Sequence, residues 1–196
     1  MYWKLIEIIQ VYPSARHKFS TLFQNSGDLF YWEVIYQILH VVTLDTKIRV
    51  FQYKLLNRII YTNKSLYKMK MIDSPLFTFC KISDEPLEHL FSRCDLIVAF
   101  WMSVVLWLKS FHIAIDSLNE CDIIFGLTQK RSHWSLLNHI IIAGKLAIYD
   151  SRLKNILPSL RHLMIKLDHT ESNELSMAIK NNWLKIQEGK WKPLIY

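Results

Sequence analysis

Four glycines and five prolines among 196 residues are few. Turn-rich β sandwiches and low-complexity chains use far more, so the scarcity favours helices. Cysteine is also scarce and odd in number, at positions 80, 94 and 121, without the spacing of a secreted disulfide scaffold. That usage reads as reduced thiols in an intracellular protein, cytoplasmic or nuclear. Long apolar stretches are missing: the longest apolar run, 96–108, has 13 residues, and a membrane-spanning helix needs about 20. The run reads as a buried helix, and no membrane partner is expected. The first residues do not read as a signal peptide, because Lys4 and Glu7 interrupt their apolar character. Signatures of catalysis are lacking as well. The chain has no Asp-Asp pair, no Gly-rich phosphate loop, no Gly-x-Ser-x-Gly and no His-Glu-x-x-His, and its eight histidines are scattered. This points away from an enzyme.

An apolar fraction of 51% and an aromatic fraction of 13% are enough for a packed core. The net charge of +7 suits an anionic partner. Its distribution is uneven. Between Thr46 and Met71 there are seven Lys or Arg and no Asp or Glu, and Gln52, Tyr53, Asn57, Tyr61 and Asn63 lie among the cations. Ile48, Phe51, Leu55 and Ile59 recur at helical intervals, with Lys47, Lys54 and Arg58 as a stripe beside them. A solvated helix face and a phosphate-facing surface fit this pattern equally. Under the second reading Lys47, Arg49, Lys54, Arg58 and Lys64 are the phosphate contacts, for RNA or DNA without sequence preference.

Periodicity and capping signals predict helices over 1–12, 29–42 (apolar at Phe30, Val34, Ile38 and Val41), 47–60 and 64–71. A helix opening at Pro86, with Asp84 as cap and Glu85 and Glu88 complementing its dipole, breaks near Cys94 and resumes to Phe111. Further helices are expected over 134–153, capped by Ser132, then over 160–167 and 174–186, with a linker at 119–129. Strand signals are weak throughout. The expected fold is a mostly α, multi-helix single domain with a degenerate zinc-knuckle-like loop between helices. Its segments are an N-terminal helical part (1–44), a central region (45–112) and a C-terminal helical tail (113–196).

That loop lies within 75–94 and holds Cys80-x8-His89-x4-Cys94. Two thiols and an imidazole at short spacing form most of a structural zinc site, which takes four ligands in a tetrahedron. The natural fourth position, three residues before Cys80, is Phe77. Asp84, His112 and Cys121 are conceivable substitutes. The plainer reading is three ordinary buried side chains, since cysteine is often buried in any case.

Around this loop stand Trp32-Glu33-x-Ile35-Tyr36, Asp45-Thr46-Lys47-Ile48-Arg49-x-Phe51-Gln52-Tyr53-Lys54-Leu55-Leu56-x-Arg58, Thr62-Asn63-Lys64-x-Leu66 and Asp73-Ser74-Pro75-Leu76. Cys80, Glu88-His89-Leu90-Phe91, Cys94 and Phe100-Trp101 follow. In order and spacing, residues 32–101 resemble the zinc-binding region that follows the reverse transcriptase in non-LTR (LINE-type) retrotransposons. Phe125-Gly126-Leu127, Leu137-Asn138 with Ala143-x-Lys145, and Lys190-Trp191 resemble the closing segment of such proteins more loosely. The resemblance implies zinc as cofactor on Cys80, His89 and Cys94. It also implies a non-catalytic module that helps a reverse transcriptase, encoded upstream, hold template RNA or target DNA. The family pattern is Cys-x-x-Cys…His…Cys, so Phe77 is a departure that leaves three of four ligands. The alternative is a degenerate structural relic or protein-interaction domain.

Overall fold

The computed structural model describes residues 14–23, 31–130, 132–180 and 189–194. The chain is mostly α. In order it forms α1 (Ser14–Leu22), α2 (Trp32–Val42), α3 (Thr46–Leu56) and α4 (Asn63–Lys68). A π-helical turn (His89–Arg93), α5 (Asp95–Ser110) and α6 (Glu120–Phe125) follow. Then come α7 (Trp134–Leu153), α8 (Leu160–Lys180) and a 3-10 turn (Lys192–Leu194). Among the described residues, β pairing is limited to one isolated antiparallel bridge, Leu76 with Asp84.

Local chemistry sets the helix ends near the loop. The Asp45 carboxylate accepts from the Lys47 and Ile48 amides and starts α3. α3 stops at Leu56, and Arg58 takes the left-handed conformation with φ 56°. Thr62 and Ser65 form a capping box that opens α4.

α7 runs through the middle of the core and is buried on nearly every face from Leu136 to Ala147. It packs on α2, α3, α6, α8 and the π turn. Gly144 lets α5 come close: a Cβ there would lie 2.6 Å from the Trp101 ring. The Trp101 indole donates to the Phe91 carbonyl at 2.8 Å, which fixes α5 against the π turn. No helix among the described residues is long and apolar enough to cross a membrane, and the 96–108 run lies within α5.

Several local expectations are corrected. Ile59 is 56% exposed because α3 has already ended. On α2 the buried face is Ile35, Ile38, Leu39 and Val42, and Val41 is exposed. The helix there is apolar on most sides, so periodicity alone does not fix its phase. His133, left-handed and without a side-chain cap bond, precedes α7 in place of Ser132. Residues 160–180 form one helix where two were expected, because nothing between 167 and 174 is Gly or Pro. The supposed linker contains α6, opened by an Asn119–Asp122 capping box. The helix expected over 1–12 lies outside the described residues.

Candidate functional site

The segment 76–84 folds back on itself as a tight loop. Phe77 N–H donates to Ser83 O at 2.9 Å, Lys81 N–H donates to Phe77 O at 2.9 Å, and Lys81 is left-handed. Cys80 sits in the turn. The base of the loop is held by a buried polar knot. Glu85, fully buried, accepts from the Asn63 amide at 2.7 Å and pairs with Arg152 Nε at 2.8 Å. Arg152 Nη2 donates to Asn63 Oδ1 at 2.6 Å, and Asn63 Nδ2 donates to Leu76 O at 2.7 Å. The loop, the start of α4 and the end of α7 thus share one set of bonds. Burial raises the Glu85 carboxyl above its ordinary range, only partly opposed by the Asn63 amide and Arg152. Glu88 pairs with Arg58. Both glutamates had been assigned to the helix dipole, but each instead neutralises an arginine distant in sequence.

His89 and Cys94 are five residues apart, about 140° around an α-helix. The chain brings them to one side by winding 89–93 as a wider π turn and placing Cys94 in extended conformation, ψ 134°. Cys94 then serves as N-cap residue of α5, its carbonyl accepting from Ile97 and Val98 at 2.8 Å. Cys80 Sγ lies 3.4 Å from His89 Nε2, and the donor atoms of Cys80, His89 and Cys94 all fall within 4.8 Å of one another. Donors around a tetrahedral zinc are about 3.5–3.8 Å apart, from Zn–S near 2.3 Å and Zn–N near 2.0 Å. Asp84, His112 and Cys121 do not join this group among the described residues.

The protonation of the three donors is set by where they sit. Burial raises the Cys80 thiol, but N–H groups of Ile82 and Ser83 and the Cys94 thiol outweigh it and hold Cys80 below its ordinary value. Burial dominates at Cys94 and pushes it up, despite N–H groups of Leu96 and Ile97. Burial also lowers His89, which favours the neutral, ligating imidazole. The donor set, two sulfurs and one imidazole nitrogen, is of a kind that suits a zinc ion, with the Cys80–His89 pair at tetrahedral spacing and the whole set within 4.8 Å. Cys80, His89 and Cys94 would hold it, and the ion would tie the loop to the π turn and the start of α5. Phe77 is fully buried, its ring edge-on to His89 at 5.2 Å and 5.0 Å from Phe79.

The five basic candidates part company. Lys47 and Lys54 are exposed and line one groove of about 430 Å³ with Phe51, Ile59, Tyr61 and Tyr149. Neither ammonium forms an ion pair among the described residues. Arg49 is turned inward, donating to Thr43 O at 2.6 Å and His40 O at 3.0 Å across the α2–α3 connection. Arg58 has left the helical stripe. It pairs with the buried Glu88 and lies over the Phe19 ring at 4.8 Å. Lys64 reaches Asp84 at 3.1 Å, both of them partly exposed.

Sequence reasoning missed a second polar cluster. Glu174, on α8 and fully buried, accepts from Thr43 Oγ1 at 2.6 Å, Leu44 N at 2.8 Å, Lys190 Nζ at 2.6 Å and Trp191 Nε1 at 3.2 Å. Lys190 also donates to Val42 O at 2.8 Å and contacts His139 Nδ1 at 3.0 Å. Burial depresses Lys190 to about 8, although Glu174 pulls the other way. Burial, with the Lys190 charge, depresses His139 to about 3. The available signals were the Leu137-Asn138 and Lys190-Trp191 words. The first of these also has a role in space: Asn138 accepts from Leu127 N–H at 2.7 Å, beside Gly126 at φ 89°. Lys145, fully buried, donates to Ile124 O at 3.0 Å.

Residues 14–101, somewhat less than half of the chain, match the family model described as zinc-binding in reverse transcriptase. The match spans α1 to the first part of α5 and takes in all three donors and all five basic candidates. It supports a reverse transcriptase zinc-binding domain over these residues. No curated protein matches the chain.

Proposed function

We propose that this chain is a non-catalytic accessory module of a LINE-type reverse transcriptase, and that it holds RNA or DNA through the outer face of α3. The observation that carries the reading is the contrast among the cations. Lys47 and Lys54 stand exposed, without an ion-pair partner among the described residues, two helical turns apart on one groove, while Arg49 and Arg58 are spent on the fold. Two cations left in solvent with no internal partner are free to neutralise phosphates. Lys64, shared with Asp84, is a weaker third contact. In this reading Phe77 stands where the fourth metal ligand would be. Zinc on Cys80, His89 and Cys94 is then a brace for the loop behind α4, with no part in chemistry. A reverse transcriptase encoded upstream is the proposed partner.

Fluorescence anisotropy with mixed-sequence RNA and DNA tests the reading. Two phosphate contacts give a slope of log K against log salt of about −1.4 on single strands and −1.8 on duplex. The double variant Lys47→Glu, Lys54→Glu is expected to lose binding while melting like the parent. Binding that ignores both salt and this charge reversal would refute the nucleic-acid role and leave the structural-relic reading in its place.

A further inference from the structure

We infer that the groove beside α3 is built for an unpaired nucleobase, so that the module prefers single-stranded over duplex nucleic acid; this rests on the nucleic-acid reading above. The groove has an unusual composition for a surface that only meets phosphates. Its volume is about 430 Å³, and its lining is mainly aromatic and aliphatic between the two lysines. Phe51 and Tyr149 pack at 5.8 Å between centroids. The Tyr149 hydroxyl points to Tyr61 O at 3.4 Å. Tyr61 and Ile59 are 59% and 56% exposed, although they border a concave surface. Asp150, the acidic residue on the rim, is paired with Lys166 Nζ at 2.5 Å. The net charge presented to a ligand is therefore that of the two lysines.

A duplex offers such a groove only its charged outside, with the base faces stacked away. A single strand offers both parts together. Its phosphates would meet Lys47 and Lys54, which lie about 10 Å apart along the helix. One exposed base face would lie against the Tyr61 ring and the apolar lining. An apolar peptide would use the lining but leave two lysines without partners. Charge complementarity thus selects the nucleic acid, and the apolar lining selects its unpaired form.

The test is anisotropy of the full chain at low salt with labelled 15-nucleotide RNA, the matching single-stranded DNA, and the corresponding 15-base-pair duplex. Tyr61→Leu keeps an apolar side chain, and Tyr61→Phe keeps the ring. The expected result is single-strand affinity at least tenfold above duplex. Tyr61→Leu should lower it about tenfold without changing the duplex value, and Tyr61→Phe should restore it. Lys54→Gln should weaken both ligands. Equal affinity for single strand and duplex, or indifference to Tyr61→Leu, overturns the base-binding site while leaving phosphate binding intact. Absence of binding to all three overturns both. Thermal melts of Tyr61→Leu, an exposed position, confirm that the fold is unchanged.

Discussion

The Cys80–His89–Cys94 cluster gathers its side chains from fifteen consecutive residues and the Glu174–Lys190–His139 cluster joins segments far apart in the chain, and the two are finished differently. Around Glu174 the charges close on themselves. One carboxylate meets one ammonium, Lys190 donates to three acceptors, and the carboxylate accepts four bonds. Among the described residues, only the His139 Nε2 atom of this cluster is left without a hydrogen-bond partner. The sulfur cluster has two thiols and an imidazole with no cation among them, and an aromatic edge on the imidazole. Its three donors have the softness that suits a metal and lie within 4.8 Å of one another. A polar cluster that balances internally is architecture. One that collects donors without a counter-charge is a candidate ligand site.

The largest effect should come from unbalancing the closed cluster. Glu174→Ala leaves Lys190 buried without its counter-ion, and urea unfolding should show a loss of about 3–5 kcal/mol. A loss under about 1 kcal/mol would show that water replaces the carboxylate and that the two clusters do not differ in kind. Acid should reach the same cluster through His139. Its folded value of about 3 lies below the unfolded value of about 6.5. Between these values the unfolded chain binds a proton that the folded chain refuses, so the contribution of His139 is fully present above about 6.5 and is lost as pH drops toward 3. The decline amounts to several kcal/mol at most, and His139→Phe should flatten it.

Phe77→Cys probes the open cluster. Without metal, removing the buried ring should cost about 2–4 kcal/mol. Zinc should reverse this, raise the melting temperature and bind at least tenfold more tightly than in the parent protein. Equal zinc content in both purified proteins would argue against Phe77 as the lost corner. The smallest effect on stability belongs to Lys47→Glu with Lys54→Glu, within about 0.5 kcal/mol. A larger loss would mean that the exposed lysines also serve the fold.

The sequence made the sulfur cluster legible because its three donors lie within fifteen residues, close enough for spacing to carry meaning. The caps Asp45 and Thr62 are local in the same way, each standing within three residues of the amides it accepts from. Glu174 and Thr43 are separated by 131 positions, and no local pattern announces that they meet. Arg58 misled because its stripe assumed that α3 continues, whereas the helix ends two residues earlier. Its one-signed neighbourhood hid a partner thirty residues on, Glu88. Long-range pairing of single charges is where one-dimensional reading stops.

The knot of Asn63, Glu85 and Arg152 has a kinetic consequence. Small zinc domains commonly fold only when metal arrives, so metal exchange passes through an unfolded chain. Here the loop that carries Cys80 is fastened at its base by a carboxylate, an amide and a guanidinium, none of them part of the Cys80–His89–Cys94 donor group. Loading and release of an ion can then proceed on a preassembled scaffold, at rates set by ligand exchange at sulfur and nitrogen. Under the zinc reading proposed above, the metal would tune occupancy of the Cys80–His89–Cys94 group without deciding whether the loop is folded.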